Sequence, residues 1–173
     1  MASILNVDTI NNAAGTSAIS INSSGNVSMP GHIIQIVTQN FTTGVSTSST
    51  SFVATGVSLS ITPTSASNKI LILGSVPMHA EGITAGGHAT FTIFRGGVAS
   101  GTNLGTAIFG MGQVYSNSGD NIAMCSLNHI DSPATTSSVT YEIGIQKQNP
   151  SINTARIAVN GETYNLTLME IAQ

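Results

Sequence analysis

The side chains that could do chemistry in this chain are few and scattered. His79, Glu81, His88, Cys125, His129 and Asp131 are of the types that ligate metals. Their spacing forms no compact ligand motif, because no two histidines stand at i, i+2 or i, i+4. No metal and no other cofactor is expected. The Gly-x-Ser-x-Gly elbow of hydrolases does not occur, and Gly96-Gly97-Val98-Ala99-Ser100-Gly101-Thr102 has glycines but neither the lysine nor the following helix of a phosphate loop. That run reads as a long turn between strands. A glycan-cleaving centre would need two carboxylates ~5 to ~9.5 Å apart. Glu81 with Asp120, or Asp131 with Glu142, are the candidate pairs, and nothing in their surroundings singles them out. The expectation is a protein that is not an enzyme.

What surrounds these residues is nearly uncharged. Charged residues make up 6% of the 173-residue chain and the net charge is -3, whereas Ser, Thr and Asn number 23, 21 and 15. Solubility must come from hydroxyl and amide groups, or much of the surface must be covered in an assembly. Disorder is excluded by 40% hydrophobic residues. Nucleic acid is excluded as a partner, since Lys69, Arg95, Lys147 and Arg156 stand alone. The single Cys125 sits in the apolar run Ile122 to Leu127 and reads as an inert buried thiol. Met1 to Ile10 lacks the basic and apolar regions of a signal peptide, and no 18-residue apolar span occurs, so neither export by a cleavable signal nor membrane insertion is expected. Asn22, Asn26, Asn40 and Asn165 match the glycosylation pattern by chance on this reading.

Period-two alternation of β-branched residues, punctuated by Gly, Ser and Asn, predicts an all-β chain. Strands are expected near 32–41, 57–62, 69–78, 88–95, 106–115, 121–130, 139–147, 154–159 and 165–171. That count suits a jelly-roll-like antiparallel β-sandwich. Val57, Leu59 and Ile61 alternate with Ser58, Ser60 and Thr62, as in a half-buried strand. Ile70-Leu71-Ile72-Leu73 does not alternate, and Leu166 and Leu168 face opposite Met169 and Ile171. Both segments look covered on two sides, the second cover being a neighbouring subunit. Ile70, Ile72, Leu166 and Leu168 are the expected contacts of a homotrimer. His32, after Pro30-Gly31, could stand near its axis.

Residues 1–30 differ from the rest. Two short apolar patches, Ile4-Leu5-Asn6-Val7 and Ile19-Ser20-Ile21, flank a polar turn, and such hairpins bury too little to be stable alone. Residues 1–30 are therefore expected to form a docking arm and 31–173 a sandwich knob.

The series Ser3-Ile4-Leu5-Asn6-Val7-Asp8-Thr9-Ile10-Asn11-Asn12, then Gly15-Thr16, then Ile21-Asn22-Ser23-Ser24-Gly25-Asn26-Val27 resembles an N-terminal module of tail-fibre-like virion appendage proteins from phages of marine, cyanophage-like type. The knob is similar to such appendages through Ser60-Ile61-Thr62-Pro63 to Ile72, Phe94-Arg95-Gly96, Asp131-Ser132-Pro133-Ala134-Thr135-Thr136, Thr140-Tyr141 and Leu168-Met169-Glu170-Ile171. The resemblance implies a trimeric structural protein of the virion, made in the host cytoplasm. Leu5, Val7, Ile10, Ile19 and Ile21 would dock the arm onto other virion proteins. Loops around His79 to His88, Gly96 to Gly105 and Tyr115 to Asn121 would meet a host-surface glycan, with His79, His88, Tyr115 and Asn117 as contacts. A capsid decoration or connector role is the alternative, since the chain has no repeated shaft.

Overall fold

The computed structural model describes residues 7–21, 23, 25, 27–82 and 84–173. Within them the regular elements are all strands. Three form the arm, β1 (Thr9–Asn11), β2 (Ser17–Ile21) and β3 (Val27–Ser28), paired in sequence order. The rest build the knob: β4 (Ile33–Phe41), β5 (Val45–Thr47), β6 (Val53–Ile61), β7 (Lys69–Glu81), β8 (Gly87–Arg95), β9 (Thr102–Asn103), β10 (Gly112–Ser116), β11 (Asn121–Asp131), β12 (Val139–Lys147), β13 (Thr154–Ile157) and β14 (Tyr164–Ile171).

Two antiparallel sheets face each other. One has the order β6-β12-β8-β10, with β9 beside β8. In the other, β4 pairs β14, β14 pairs β7 and β7 pairs β11. Taking the eight long strands in chain order, the first pairs the last (β4·β14), the second the seventh (β6·β12), the third the sixth (β7·β11) and the fourth the fifth (β8·β10). That nested pairing is a long folded-over ribbon wrapped into two sheets, a jelly roll. The fold is the all-β sandwich that the alternation predicts.

The core lies between the sheets. Val57, Leu59, Ile61, Phe91, Ile93, Tyr141, Ile143 and Ile145 from one sheet meet Ile70, Ile72, Val76, Met78, Leu166 and Leu168 from the other. Ile70, Ile72, Leu166 and Leu168 are wholly buried inside a single chain. They are unavailable to another copy, and the expectation that they form a trimer contact is corrected: in both segments alternation survives, with Leu71, Leu73, Met169 and Ile171 half-buried on the opposite face.

Strand β7 is the spine. One edge pairs β11 from Ile70 to Ala80, while the other pairs β14 from Lys69 to Gly74 and then β13 from Met78 to Glu81. A Cβ on Gly74, where β14 begins, would stand 2.6 Å from the Asn165 carbonyl oxygen. The segment 106–115 is shorter as a strand than the pattern suggests. Gly110, at φ +57, is bonded in both directions to Thr106, and a Cβ there would meet the Phe91 carbonyl oxygen, so the chain turns before β10 starts.

Glu170 closes the arm end of the sandwich. Its side chain is fully buried and accepts hydrogen bonds from Gln35 Nε2 (2.6 Å), the Thr64 amide (2.7 Å), Thr64 Oγ1 (2.9 Å) and Asn68 Nδ2 (2.7 Å). Burial pushes its carboxyl up, but the donors from Asn68, Gln35 and Thr64 together outweigh it and hold it below the ordinary carboxylate range. A depressed folded pKa contributes stability at pH values above the unfolded one, about 4.3, and that contribution is lost as pH falls through the folded value. Urea unfolding should therefore show an acid limb below about pH 4, and Glu170→Gln should flatten it. Gly74→Val should lower stability by ~1–3 kcal/mol at every pH, as overpacking does, which the same titration reads as a pH-independent shift of midpoint.

Candidate functional site

Among the described residues most of the acidic side chains are occupied by structural work. Glu81 accepts both oxygens' bonds from Arg156 Nη1 at 2.8 Å. Asp120 accepts from the Gly82 amide, Glu142 from the Val98 amide and Glu162 from the Asn160 amide, each at 2.8–2.9 Å. Asp131 joins the two sheets: Arg95 Nη1 donates to both its oxygens at 2.9 and 3.1 Å, and Tyr141 Oη donates at 2.7 Å. Burial, followed by that bond to Asp131, drives the Tyr141 hydroxyl far above its ordinary range. With Glu170, six of the seven acids hold a turn, a strand end or a partner sheet. The pairs Glu81 with Asp120 and Asp131 with Glu142 are thus clamps, each acid bound to a different partner. No three of the described His, Cys, Asp and Glu side chains converge. Cys125 is half-buried, and burial pushes its thiol up.

Polar and aromatic groups do converge at one end of the sandwich. Tyr115 on β10 is in register with His88 on β8, and their rings lie 4.7 Å apart at 41°. Tyr115 Oη donates to Asn117 Oδ1 at 2.6 Å, Asn121 Nδ2 donates to the Tyr115 carbonyl at 2.7 Å, and the Gly86 amide donates to the Asn117 carbonyl at 2.9 Å. Asn149 Nδ2 donates to the Gly86 carbonyl at 3.4 Å. Three connections therefore meet, through residues 82 and 84–86, 117–120 and 148–153. Gly87 lets them close, since a Cβ there would stand 2.1 Å from Ile152 Cγ2 of the core. The Tyr115 ring remains 48% exposed, while His88 Nδ1 and Asn149 Oδ1 are buried without hydrogen-bond partners. An exposed aromatic face rimmed by amides is suited to a neutral polyhydroxyl ligand, stacking on the ring and bonding at the rim.

Of the four expected surface contacts, His88, Tyr115 and Asn117 are brought together. His79 is not among them: β7 runs on to Glu81, residues 158–163 cover that side, and His79 is 1% exposed. Its Nε2 lies 3.3 Å from Glu162 Oε1 without hydrogen-bond alignment. The third expected loop, Gly96 to Gly105, starts from the opposite end of β8 and folds over the outer face of its sheet, where Thr92 Oγ1 donates to Asn103 Oδ1 at 2.6 Å. Asn121 was expected only as the end of its loop and Asn149 was not foreseen, because an asparagine in a Gly/Ser/Asn-rich chain has no pattern to distinguish it.

The arm enters at the other end. Gly31, at φ +79, donates to the Ala172 carbonyl, and a cleft of about 470 Å³ is lined by Gly25, Val27, His32, Ile34, Gln35, Thr62 and Thr64. In the arm, Ile10 is 47% exposed and Val7, Ile19 and Ile21 are half-buried, whereas Leu5 lies outside the described residues.

No protein-family model and no curated protein matches the chain. Among solved structures it is similar to a mutant VP2 protein of infectious bursal disease virus in derived T=1 particles, at 13% identity and TM-score 0.41 over 84% of this chain and 39% of that one. It is also similar to the VP2 subviral particle of that virus, at 15% identity and TM-score 0.39 over 85% and 40%. The chain thus spans about two fifths of the length of those proteins.

The clasp between the sheets makes a test. Arg95→Met leaves a nearly buried carboxylate with one neutral donor and should cost ~2–3 kcal/mol, below the ~3–5 of a wholly buried pair because Arg95 is partly solvated. Tyr141→Phe removes one bond and should cost ~1 kcal/mol. Chemical denaturation of the two variants reads the difference.

Proposed function

We propose that the chain is a non-enzymatic structural protein of a virion, a fibre-like appendage whose knob contacts a glycan of the host surface. The observation that carries this reading is the placement of the two distinctive regions at opposite ends of β7. The arm joins beside Lys69, while the His88–Tyr115–Asn117 cluster lies beyond Glu81, ~40 Å away at ~3.4 Å per residue. An arm at the base, docking on other virion proteins through Val7, Ile10, Ile19 and Ile21, would turn the cluster outward. The near-uncharged, hydroxyl-rich composition and the resemblance to phage appendages support the same reading. A decoration or connector role is the alternative.

The test is binding of the full chain to arrayed bacterial envelope glycans, followed by titration of the hits. Tyr115→Ala should weaken binding about tenfold or more, the loss of ~1.4 kcal/mol of stacking, in a protein whose circular dichroism spectrum shows it still folded. Binding to no glycan, or binding indifferent to Tyr115, overturns the attachment role.

A further inference from the structure

Aromatic side chains are few in this chain and nearly all are inside. Of five phenylalanines and three tyrosines, Phe41, Phe91, Phe94, Tyr141 and Tyr164 are buried and Phe52 is half-buried. The two that stand exposed are Phe109 (49%) and Tyr115 (48%), and both lie on the same side of the knob. Val114 points into the core, so Gln113 and Tyr115 share the outer face of the β6-β12-β8-β10 sheet. Residues 97–111 lie over that face as a cover: Gln146 Nε2 donates to the Ile108 carbonyl at 2.9 Å, Phe94 and Val98 close over Gly144, and Thr90 and Thr92 keep no exposed surface. Phe109 stands on the turn that ends this cover. The turn is held by two backbone bonds between Thr106 and Gly110 and by the Phe109 amide, which donates to Thr106 Oγ1 at 3.0 Å.

The two rings are the ends of a platform along β10. Between them Gln113 is exposed, and beyond Tyr115 the exposed Asn117 accepts the tyrosine hydroxyl's bond. At ~3.4 Å per residue the rings are at most ~20 Å apart and the strip from Phe109 to Asn117 at most ~27 Å long. The strip also lacks charge. From Gly96 to Gly119 there is no Asp, Glu, Lys or Arg. Three of the four cationic side chains are engaged, Arg95 by Asp131, Lys147 by the Ile152 carbonyl and Arg156 by Glu81, and Lys69 lies at the arm end of β7. The acid next in sequence, Asp120, repels an anion rather than binding one. A carboxylated or sulfated ligand would find no partner here.

We propose that the strip from Phe109 to Asn117 takes an internal stretch of a linear, uncharged polysaccharide, with sugars stacked on Tyr115 and on Phe109 and bonded to the amides of Gln113 and Asn117. Two separated aromatic faces cannot both be covered by one sugar ring, whereas a polymer laid along the strand meets them in turn. Both rings sit on backbone fixed by hydrogen bonds, so little freedom is lost when the chain settles on them. This assignment rests on the attachment reading and narrows it to the interior of a neutral polymer, with Phe109 as a second anchor.

The full chain is run by affinity electrophoresis in gels containing dextran, mannan or xylan, and in gels containing alginate as the anionic comparison. It is then titrated with oligosaccharides of increasing length cut from the polysaccharide that binds best. A neutral polysaccharide should retard the chain and alginate should not, and affinity should rise with length until both rings are spanned and then level. Phe109→Ala should weaken binding of the longest oligosaccharides about tenfold and flatten the rise with length, in a protein still folded by circular dichroism. Ile122→Ala, equally exposed but on the other sheet, should leave the titrations unchanged. Retardation by alginate alone or by none of the neutral polysaccharides, an affinity independent of length, or a Phe109→Ala variant that binds long chains as the wild type does each overturn the proposal. The attachment reading survives those results if Tyr115→Ala still weakens binding to an arrayed glycan, and both fall if the chain binds no carbohydrate at all.

Discussion

The sandwich depends on one strand having three partners. β7 holds β11 along one edge and divides the other between β14 and β13, so the β4-β14 and β13-β5 pairs are joined to β11 and to each other through it. Its inward residues Ile70, Ile72, Val76, Met78 and Ala80 are fully buried against the opposite sheet. The division demands a residue without a side chain at Gly74, since the Asn165 carbonyl oxygen occupies the space a Cβ would take. From that constraint follow the direction in which β14 leaves, the position of Glu170 at the end of it, and the closure of the arm end.

Charge is spent in this protein on geometry rather than on solubility. A carboxylate accepting amide hydrogen bonds fixes a turn more strongly than a neutral oxygen would, and Glu142, Glu162, Asp120 and Glu170 each do so at a different connection. Asp131 and Glu81 tie strands through arginines. The exterior is then left to Ser, Thr, Asn and Gln, which bind water without creating a field.

Strand positions were legible wherever one face met the core and the other met water. Val139–Lys147 coincides with its expected range, and Val57, Leu59 and Ile61 point inward as their alternation with hydroxyls requires. The runs around Ile70 and Leu168 were misjudged because period two states that faces differ, not which is inside; when both are apolar, only the partner sheet decides. Short β5 escaped notice because Val45-Ser46-Thr47 is too brief to show a period. The cover formed by residues 97–111 was invisible for another reason. It is held by bonds such as Gln146 to a backbone carbonyl, which depend on three-dimensional proximity and leave no periodic trace.

The loop cluster was half legible for the same cause. Tyr115 was marked by being an aromatic among small polar residues, but its setting comes from the core. Ile152, wholly buried, presses against Gly87, which fixes the path of β8 and so places His88 opposite Tyr115. The tyrosine is backed by a ring on one side and held through its hydroxyl on the other, leaving few conformations to lose when something settles on its open face. A rigid aromatic binds at less entropic cost than a mobile one. The geometry of the cluster is therefore a property of the sandwich beneath it, and the loops add the amides around the ring.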